Sequence, residues 1–213
     1  MAIDDLLDEH EQSERVRGWL RNNGGGLITG ILLGLAVIGG WQWWQQHQAG
    51  ARAEAGARYD TLGKTLAANN LKQAQAEAAA LAASGSDLGA LAAMRVAGKQ
   101  VEQGDAAAAI ATLRGVQAKD PSVAAVVDSR IARLLIDTGK PAEALKLLGD
   151  KPTGAAALEA RGDALFALGR NEDARAAYAQ ALAKLDVAMP QRRVVELKLI
   201  QVGGNPTRPE TRS

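Results

Sequence analysis

The sequence contains no cysteine. Disulfide bonds, thiolate catalysis and cysteine-ligated zinc are therefore excluded. Aromatic residues are also scarce, at 3% of the chain, whereas alanine dominates from residue 49 onward. Because alanine favours helices and aromatic residues favour strands, the composition predicts packed helices and an all-α fold.

The chain also has no excess of charge of one sign. It carries 25 Lys and Arg residues against 24 Asp and Glu residues, for a formal net charge of +1. The densest basic pair of the C-terminal half is Arg192–Arg193, and no longer basic stripe occurs. Nucleic-acid binding needs clustered positive charge, so we expect no nucleic-acid partner.

Catalytic signatures are missing as well. The sequence contains no HExxH, no GxxxxGK[ST] and no GxSxG motif. The two histidines, His10 and His47, lie on opposite sides of a long uncharged stretch and are not expected to share a site. We therefore predict a protein that is not an enzyme, with no cofactor and no metal.

The uncharged stretch runs from Leu27 to Trp44. As a helix it would be about 27 Å long, close to the roughly 30 Å thickness of a bilayer's hydrocarbon core. Trp41, Trp43 and Trp44 stand at its end, where indole rings favour the headgroup boundary. This pattern predicts a transmembrane helix over residues 24–48, with these three tryptophans at the membrane interface.

Two alternatives compete with a retained membrane anchor. A buried helix of a soluble core is disfavoured because the three tryptophans point to different faces of the helix. A cleavable signal peptide would need a small-x-small site, a form that Ala49–Ala51 and Ala51–Ala53 have. Those sites lie too far beyond the apolar segment, and acidic residues precede the first basic residue, Arg15. A retained anchor fits better.

The basic residues near the segment predict its orientation. Arg15, Arg17 and Arg21 lie just before it, whereas Arg52 and Arg58 follow at a greater distance. The positive-inside rule then favours a cytoplasmic N-terminal segment, residues 1–23. The domain that follows would face away from the cytoplasm.

A row of glycines adds a second property to the segment. Gly26, Gly30 and Gly34 recur every fourth residue and therefore share one face of a helix. Missing side chains let another helix approach closely, which is the basis of GxxxG pairing in lipid. We predict that this glycine row is a docking face.

Beyond the segment, the clearest unit is Ala155 to Ala188, two amphipathic helices separated by Gly169. It resembles a tetratricopeptide repeat, although Leu158 replaces the family's tryptophan and Asp186 its closing proline. The residues that match the repeat pattern in order and spacing are Gly162, Leu165, Gly169, Ala174, Tyr178 and Ala181.

Weaker copies precede this unit, with turn glycines at Gly104 and Gly139. The 30-residue step from Gly139 to Gly169 indicates a shortened second helix in the middle unit. A divergent pair, roughly Ala51–Ala68 and Leu71–Ala83, begins the array, and Pro190–Val202 caps it. We thus predict a repeat domain over residues 49–202, an α-solenoid, and a disordered tail over 203–213.

Arrays of this kind bind partners on the concave surface lined by their first helices. The register predicts a mixed apolar and charged groove that would suit a folded partner or an unfolded chain. Some of these side chains could instead pack between helices, as is plausible for Val101 and Phe166. The predicted groove residues are Met94, Val101, Arg133, Asp137, Asp163 and Phe166.

The order of features as a whole resembles the YfgM-type ancillary subunits of the bacterial SecYEG translocon. It combines an acidic N-terminal helix, arginines, the segment "ITGILLGLAVIGGWQWW", divergent repeats with "LRGVQ" and "RGDALFALGRNEDARAAY", and an apolar closing helix. The resemblance implies a bacterial inner-membrane protein with a periplasmic repeat domain. It also implies association with the translocon and with a periplasmic chaperone of the PpiD type. It implies no catalytic residues.

The sequence leaves three functions open. The first is an accessory translocon protein that links the channel to periplasmic chaperones and assists emerging exported chains. The second is a scaffold that forms homo-oligomers through the glycine row. The third is a regulator that signals inward through its acidic residues, Asp4 to Glu14.

Overall fold

A computed structural model describes residues 2–84 and 87–206, with side chains from Glu14 onward. All regular secondary structure in these ranges is helical, which confirms the all-α prediction. The helices are α1 (Ala2–Ala67), α2 (Leu71–Ala83), α3 (Asp87–Glu102), α4 (Ala106–Arg114), α5 (Pro121–Asp137), α6 (Pro141–Leu148), α7 (Ala155–Ala167), α8 (Asn171–Lys184) and α9 (Pro190–Gln201).

The chain divides into two compact units within α1. The first unit ends at Glu54, and the second begins at Ala55. Helix α1 has no break at residue 48, where the sequence predicts that the membrane segment ends. Alternate alanines from Ala49 to Ala57 favour continued helix there, because alanine has the highest helix propensity.

The helices of the second unit follow one another in pairs, and the first helix of each of four pairs ends in the same kind of turn. A residue with positive φ follows the helix, and the next N–H donates to a carbonyl five residues back, as from Arg170 to Leu165 at 2.9 Å. The residues with positive φ are Asn69, Gly104, Gly139 and Gly169. Sequence reasoning identified the three glycines but not Asn69, which tolerates the left-handed conformation better than most residues do.

The second helices of the pairs differ in length. Helix α6 has 8 residues and α8 has 14, which confirms the shortened second helix of the middle unit. Gly149, with φ of 69°, ends α6 early. Helix α4 is also short, with 9 residues.

The core of the second unit is a series of three clusters. Leu62, Leu81 and Val96 join the end of α1 to α2 and α3. A second cluster runs from α3 to α7, and a third joins α7, α8 and α9. Each cluster joins helices that are close together along the chain, as expected of a repeat array.

The best-matching repeat is closed by a contact between glycine and an aromatic ring. A Cβ on Gly162 of α7 would lie 2.6 Å from Cδ1 of Tyr178 on α8. Tyr178 is 2% exposed. The glycine is therefore required by close approach of the two helices and not by its backbone conformation.

Helix α9 packs on α8 through Val195 and Leu199, which are buried in the third cluster. It ends in a glycine cap, where Gly203 has φ of 75° and Gly204 donates to the carbonyl of Leu199 at 2.8 Å. The sequence analysis placed both glycines in the predicted disordered tail. The rest of the predicted tail, residues 207–213, lies outside the described residues.

Candidate partner-binding surfaces

The uncharged part of α1 is exposed along its length. An 18-residue window of this helix has mean hydropathy of 1.7, and none of the window is buried. Its large aliphatic side chains, such as Leu33 and Val37, are 63% and 71% exposed. This is the one helix in the described part of the chain that is long and apolar enough to cross a membrane.

The glycine row lies open on α1. A Cβ built on Gly26, Gly30 or Gly34 meets no atom within 4 Å. The row is therefore not filled by another part of the first unit. It leaves a shallow strip in which a second helix could approach the α1 backbone.

Aromatic side chains lie in and before the apolar stretch: three tryptophans are among its last four residues, and Trp19 lies eight residues before Leu27. Trp41 and Trp44 have ring centroids 5.4 Å apart, and Trp43 stacks on His47 at 5.7 Å. Trp19 is 55% exposed. The 22 steps from Trp19 to Trp41 correspond to about 33 Å of helix, close to the thickness of the hydrocarbon core, and the interval includes Arg21 near its start. The sequence analysis identified the three distal tryptophans and missed Trp19, because it lies between Arg17 and Arg21, outside the uncharged stretch.

Two polar side chains, one in the stretch and one just before it, donate hydrogen bonds to the helix backbone. Thr29 donates its hydroxyl to the carbonyl of Gly25 at 2.8 Å, and the Asn23 amide donates to the carbonyl of Trp19 at 3.1 Å. Such bonds lower the free energy needed to place these groups in lipid.

In the second unit, the predicted groove residues divide into three groups. Met94 is 6% exposed and belongs to the core, so it does not present a surface to a partner. Val101 and Phe166 are exposed by 44% and 38%, and Asp137 is also exposed. Arg133 and Asp163 lie together in one network of charged side chains, which we call the Glu159 network.

Glu159 of α7 is the centre of that network, with its side chain 5% exposed. Its carboxylate accepts hydrogen bonds from Arg133 of α5 at 3.0 Å, and from Gln191 and Lys198 of α9 at 2.6 and 2.7 Å. Lys198 also donates to Asp163 at 2.7 Å. These bonds connect three consecutive first helices, α5, α7 and α9.

The surroundings of Glu159 favour its ionised form. Burial raises the pKa of Glu159, but the hydrogen bonds from Lys198 and Gln191 and the charges of Lys198 and Arg133 outweigh it, so its pKa is lowered. Burial and the bond to Asp163 raise the pKa of the Tyr178 hydroxyl, which donates to that carboxylate at 2.8 Å. Two acids and two bases balance, which suits a structural clamp better than proton transfer.

The Glu159 network could have been predicted in part from the sequence. Glu159 and Asp163 are spaced i, i+4 on α7, so two carboxylates share one helix face and would repel each other without a cation. That spacing indicates a basic neighbour. It does not identify Lys198, which is 35 residues from Asp163 and reaches it only because α9 folds back.

The fold and these surfaces define a class of protein. A family model for a tetratricopeptide repeat-like domain matches residues 17–204. The chain is therefore a tetratricopeptide repeat-like protein, with an exposed apolar helix before its repeats.

Two relatives narrow the class. The ancillary SecYEG translocon subunit of Escherichia coli strain K12 is 28% identical over 197 residues, covering 90% of this chain and 95% of that protein. The ancillary SecYEG translocon subunit of Haemophilus influenzae strain Rd is 30% identical over 145 residues, covering 67% of this chain and 71% of that protein. The chain belongs to the family of ancillary SecYEG translocon subunits, which confirms the resemblance drawn from the sequence.

Proposed function

We propose that this protein is a non-enzymatic, single-pass subunit of the bacterial inner membrane that docks on the Sec translocon through α1. Its repeat array then holds a periplasmic chaperone of the PpiD type, or an emerging exported chain, near the channel exit. The observation that carries the proposal is the exposed apolar stretch of α1 with its open glycine row, in a chain whose relatives are named as translocon subunits.

Membrane insertion accounts for the exposure of that stretch. Leaving such a run of aliphatic side chains in water would be unfavourable, whereas lipid solvates it without cost. The tryptophans near both ends would lie at the two headgroup regions. The excess of arginines before the stretch supports a cytoplasmic N-terminus and a periplasmic array.

The array supports a binding role. Its described surfaces combine exposed apolar side chains, such as Phe166, with charged ones such as Asp137. Tethering beside the channel would raise the effective concentration of clients, so weak contacts would suffice. Weak contacts would also allow release.

The test of docking is affinity purification of the full chain from native membranes in mild detergent. Gly30→Leu/Gly34→Leu fills the glycine row, and we expect it to reduce co-purifying translocon subunits and chaperone strongly. For a matched single-site comparison, Gly30→Leu is set against Gly39→Leu, which lies about 180° away on the same helix. Only the former should weaken recovery.

The outcomes separate the competing functions. Recovery of the protein alone, from wild type and variants alike, would exclude the translocon subunit and favour a self-assembling scaffold. Equal loss with Gly30→Leu and Gly39→Leu would mean that α1 requires small residues generally and has no docking face.

Orientation is tested separately, with the lack of native cysteine as an advantage. Ser13→Cys and Lys184→Cys each place a single thiol, before and after the apolar stretch. A membrane-impermeant maleimide added to spheroplasts should label the thiol at position 184 and not that at 13. The reverse pattern would overturn the proposed topology.

A further inference from the structure

The outward face of α9 is apolar although α9 is the last helix of the described array. Terminal helices of repeat arrays normally turn a polar face outward, since no further repeat covers them. Here five large apolar side chains on or just before α9 are about half exposed or more. They are Val187 at 64%, Met189 at 53%, Val194 at 48%, Leu197 at 62% and Ile200 at 53%.

Three of these side chains, Met189, Leu197 and Ile200, form a stripe on the side of α9 opposite its packed face. At 100° per residue, Met189, Arg193, Leu197 and Ile200 fall within an arc of about 80°. Val195 and Leu199, which pack into the core, lie on the other side. A cavity of about 510 Å³ runs over the stripe. Residues 207–213, which follow, include no large apolar side chain that could cover it.

The charges along the stripe are complementary to those of a reversed copy. Arg193 makes no ion pair or hydrogen bond within the described residues and is exposed. Glu196 lies one turn further on and is 32% exposed, with one oxygen 3.0 Å from Nε of Arg192. The stripe thus presents a cation and an anion three residues apart.

In an antiparallel pair of α9 helices, residues whose numbers have the same sum lie opposite each other. The register that sets Met189 against Ile200 of a second copy also sets Arg193 against Glu196 of that copy, since both pairs sum to 389. A parallel pair would instead set Arg193 against Arg193. We propose that the outward face of α9 binds the same face of a second copy in this antiparallel register.

Such a contact is isologous, so each interaction occurs twice about a two-fold axis. It covers the apolar stripe of both arrays and gives each Arg193 an acidic partner. One helix face buries little area, but two chains tethered in one membrane meet at high effective concentration. This interface is separate from the glycine row and does not depend on the proposed translocon role.

The test is a charge swap in the purified full chain, read by sedimentation in detergent. Arg193→Glu and Glu196→Arg each place like charges opposite one another twice, so we expect the dimer dissociation constant to rise about tenfold. Arg193→Glu/Glu196→Arg restores opposite charges and should return it to within about twofold of wild type. Far-UV circular dichroism checks that each variant is folded.

A second measurement fixes the location of the interface. Leu197→Cys lies about 4 Å along the helix from the two-fold axis, so a short bis-maleimide should link two copies in membranes. Lys184→Cys on α8 is the control and should not be linked.

Dimerisation, loss with both single variants and recovery with the swap would support the proposal. A monomeric wild type, a swap that fails to recover the dimer, or equal cross-linking of both cysteines would overturn it. A dimer lost only in Gly30→Leu/Gly34→Leu would assign self-association to the glycine row instead.

Discussion

Replacing Glu159 by glutamine tests whether the Glu159 network holds α9 to the array. Glu159→Gln keeps the shape of the side chain but removes its charge from bonds to Arg133, Gln191 and Lys198. Removing one member of a buried ion pair costs about 3–5 kcal/mol. Here the loss of stability is smaller for two reasons. Lys198 retains its hydrogen bond to Asp163 at 2.7 Å, and the Arg133 side chain is 41% exposed and can be hydrated. We expect the free energy of unfolding to fall by about 2 kcal/mol.

The measurement is urea unfolding of the full chain in mild non-ionic detergent, followed by far-UV circular dichroism. With a slope near 2 kcal/mol per molar, the midpoint should fall by about 1 M. Glu143→Gln is the control, because Glu143 pairs with Arg114 at 3.6 Å with both side chains 54% exposed. That pair should contribute less than about 0.5 kcal/mol.

Hydrogen exchange localises the effect. Because Gln191 and Lys198 connect α9 to α7 through Glu159, the α9 amides should lose more protection than those of α3. The reasoning would be refuted if Glu159→Gln and Glu143→Gln shifted the midpoint equally, or if protection fell uniformly along the array.

Three further predictions concern pH and close packing. The pKa of Glu159 is lowered from its ordinary 4.5, so its stabilising contribution is complete above that value and is lost as the pH falls through the folded-state pKa. The difference in unfolding free energy between wild type and Glu159→Gln should thus shrink below about pH 4, and a constant difference down to pH 3 would contradict this. Gly162→Ala would place a Cβ against the Tyr178 ring, 2.6 Å from its Cδ1, and should destabilise the protein by about 1–3 kcal/mol in the same urea assay. A second change, Tyr178→Leu, should reduce that effect if the ring is the cause. Gly89→Ala would bring a Cβ to 2.6 Å from an α-carbon of α2 and should lower the urea midpoint. The Cβ of Gly98→Ala, on the same helix, meets nothing within 4 Å, so this change should raise the free energy of unfolding by up to about 1 kcal/mol. Equal effects of the two changes would refute the close approach of α2 and α3.

Local signals in the sequence determined the secondary structure. Alanine content, the scarcity of aromatic residues and glycines at repeat spacing indicated helices and most turns. The sequence predicted the turns at Gly104, Gly139 and Gly169, because a left-handed backbone conformation is a local requirement that glycine meets. The turn at Asn69 was not predicted, because asparagine is also common in many other backbone conformations.

The predicted groove residues show what local sequence patterns do not predict, namely burial and contacts between distant residues. The repeat register assigned Met94 to the groove, but the packing of α3 against its neighbours buries it in the core. Arg133 and Asp163 were identified, whereas Glu159 was not. Glu159 bonds Arg133 directly and is connected to Asp163 through Lys198. Periodicity gives the face of a helix, but the depth at which a neighbouring helix crosses that face depends on contacts between distant residues.

The sequence by itself determined the apolar segment, the glycine row and the helical repeats, because each follows from the spacing of residues along one helix or one turn. Only the tertiary structure decided that Lys198 bridges Glu159 and Asp163, and that α9 turns Leu197 and Ile200 outward. Those features depend on how α9 is rotated against α8. That rotation is set by the packing of Val195 and Leu199, two of several apolar residues on a helix that is apolar on more than one side.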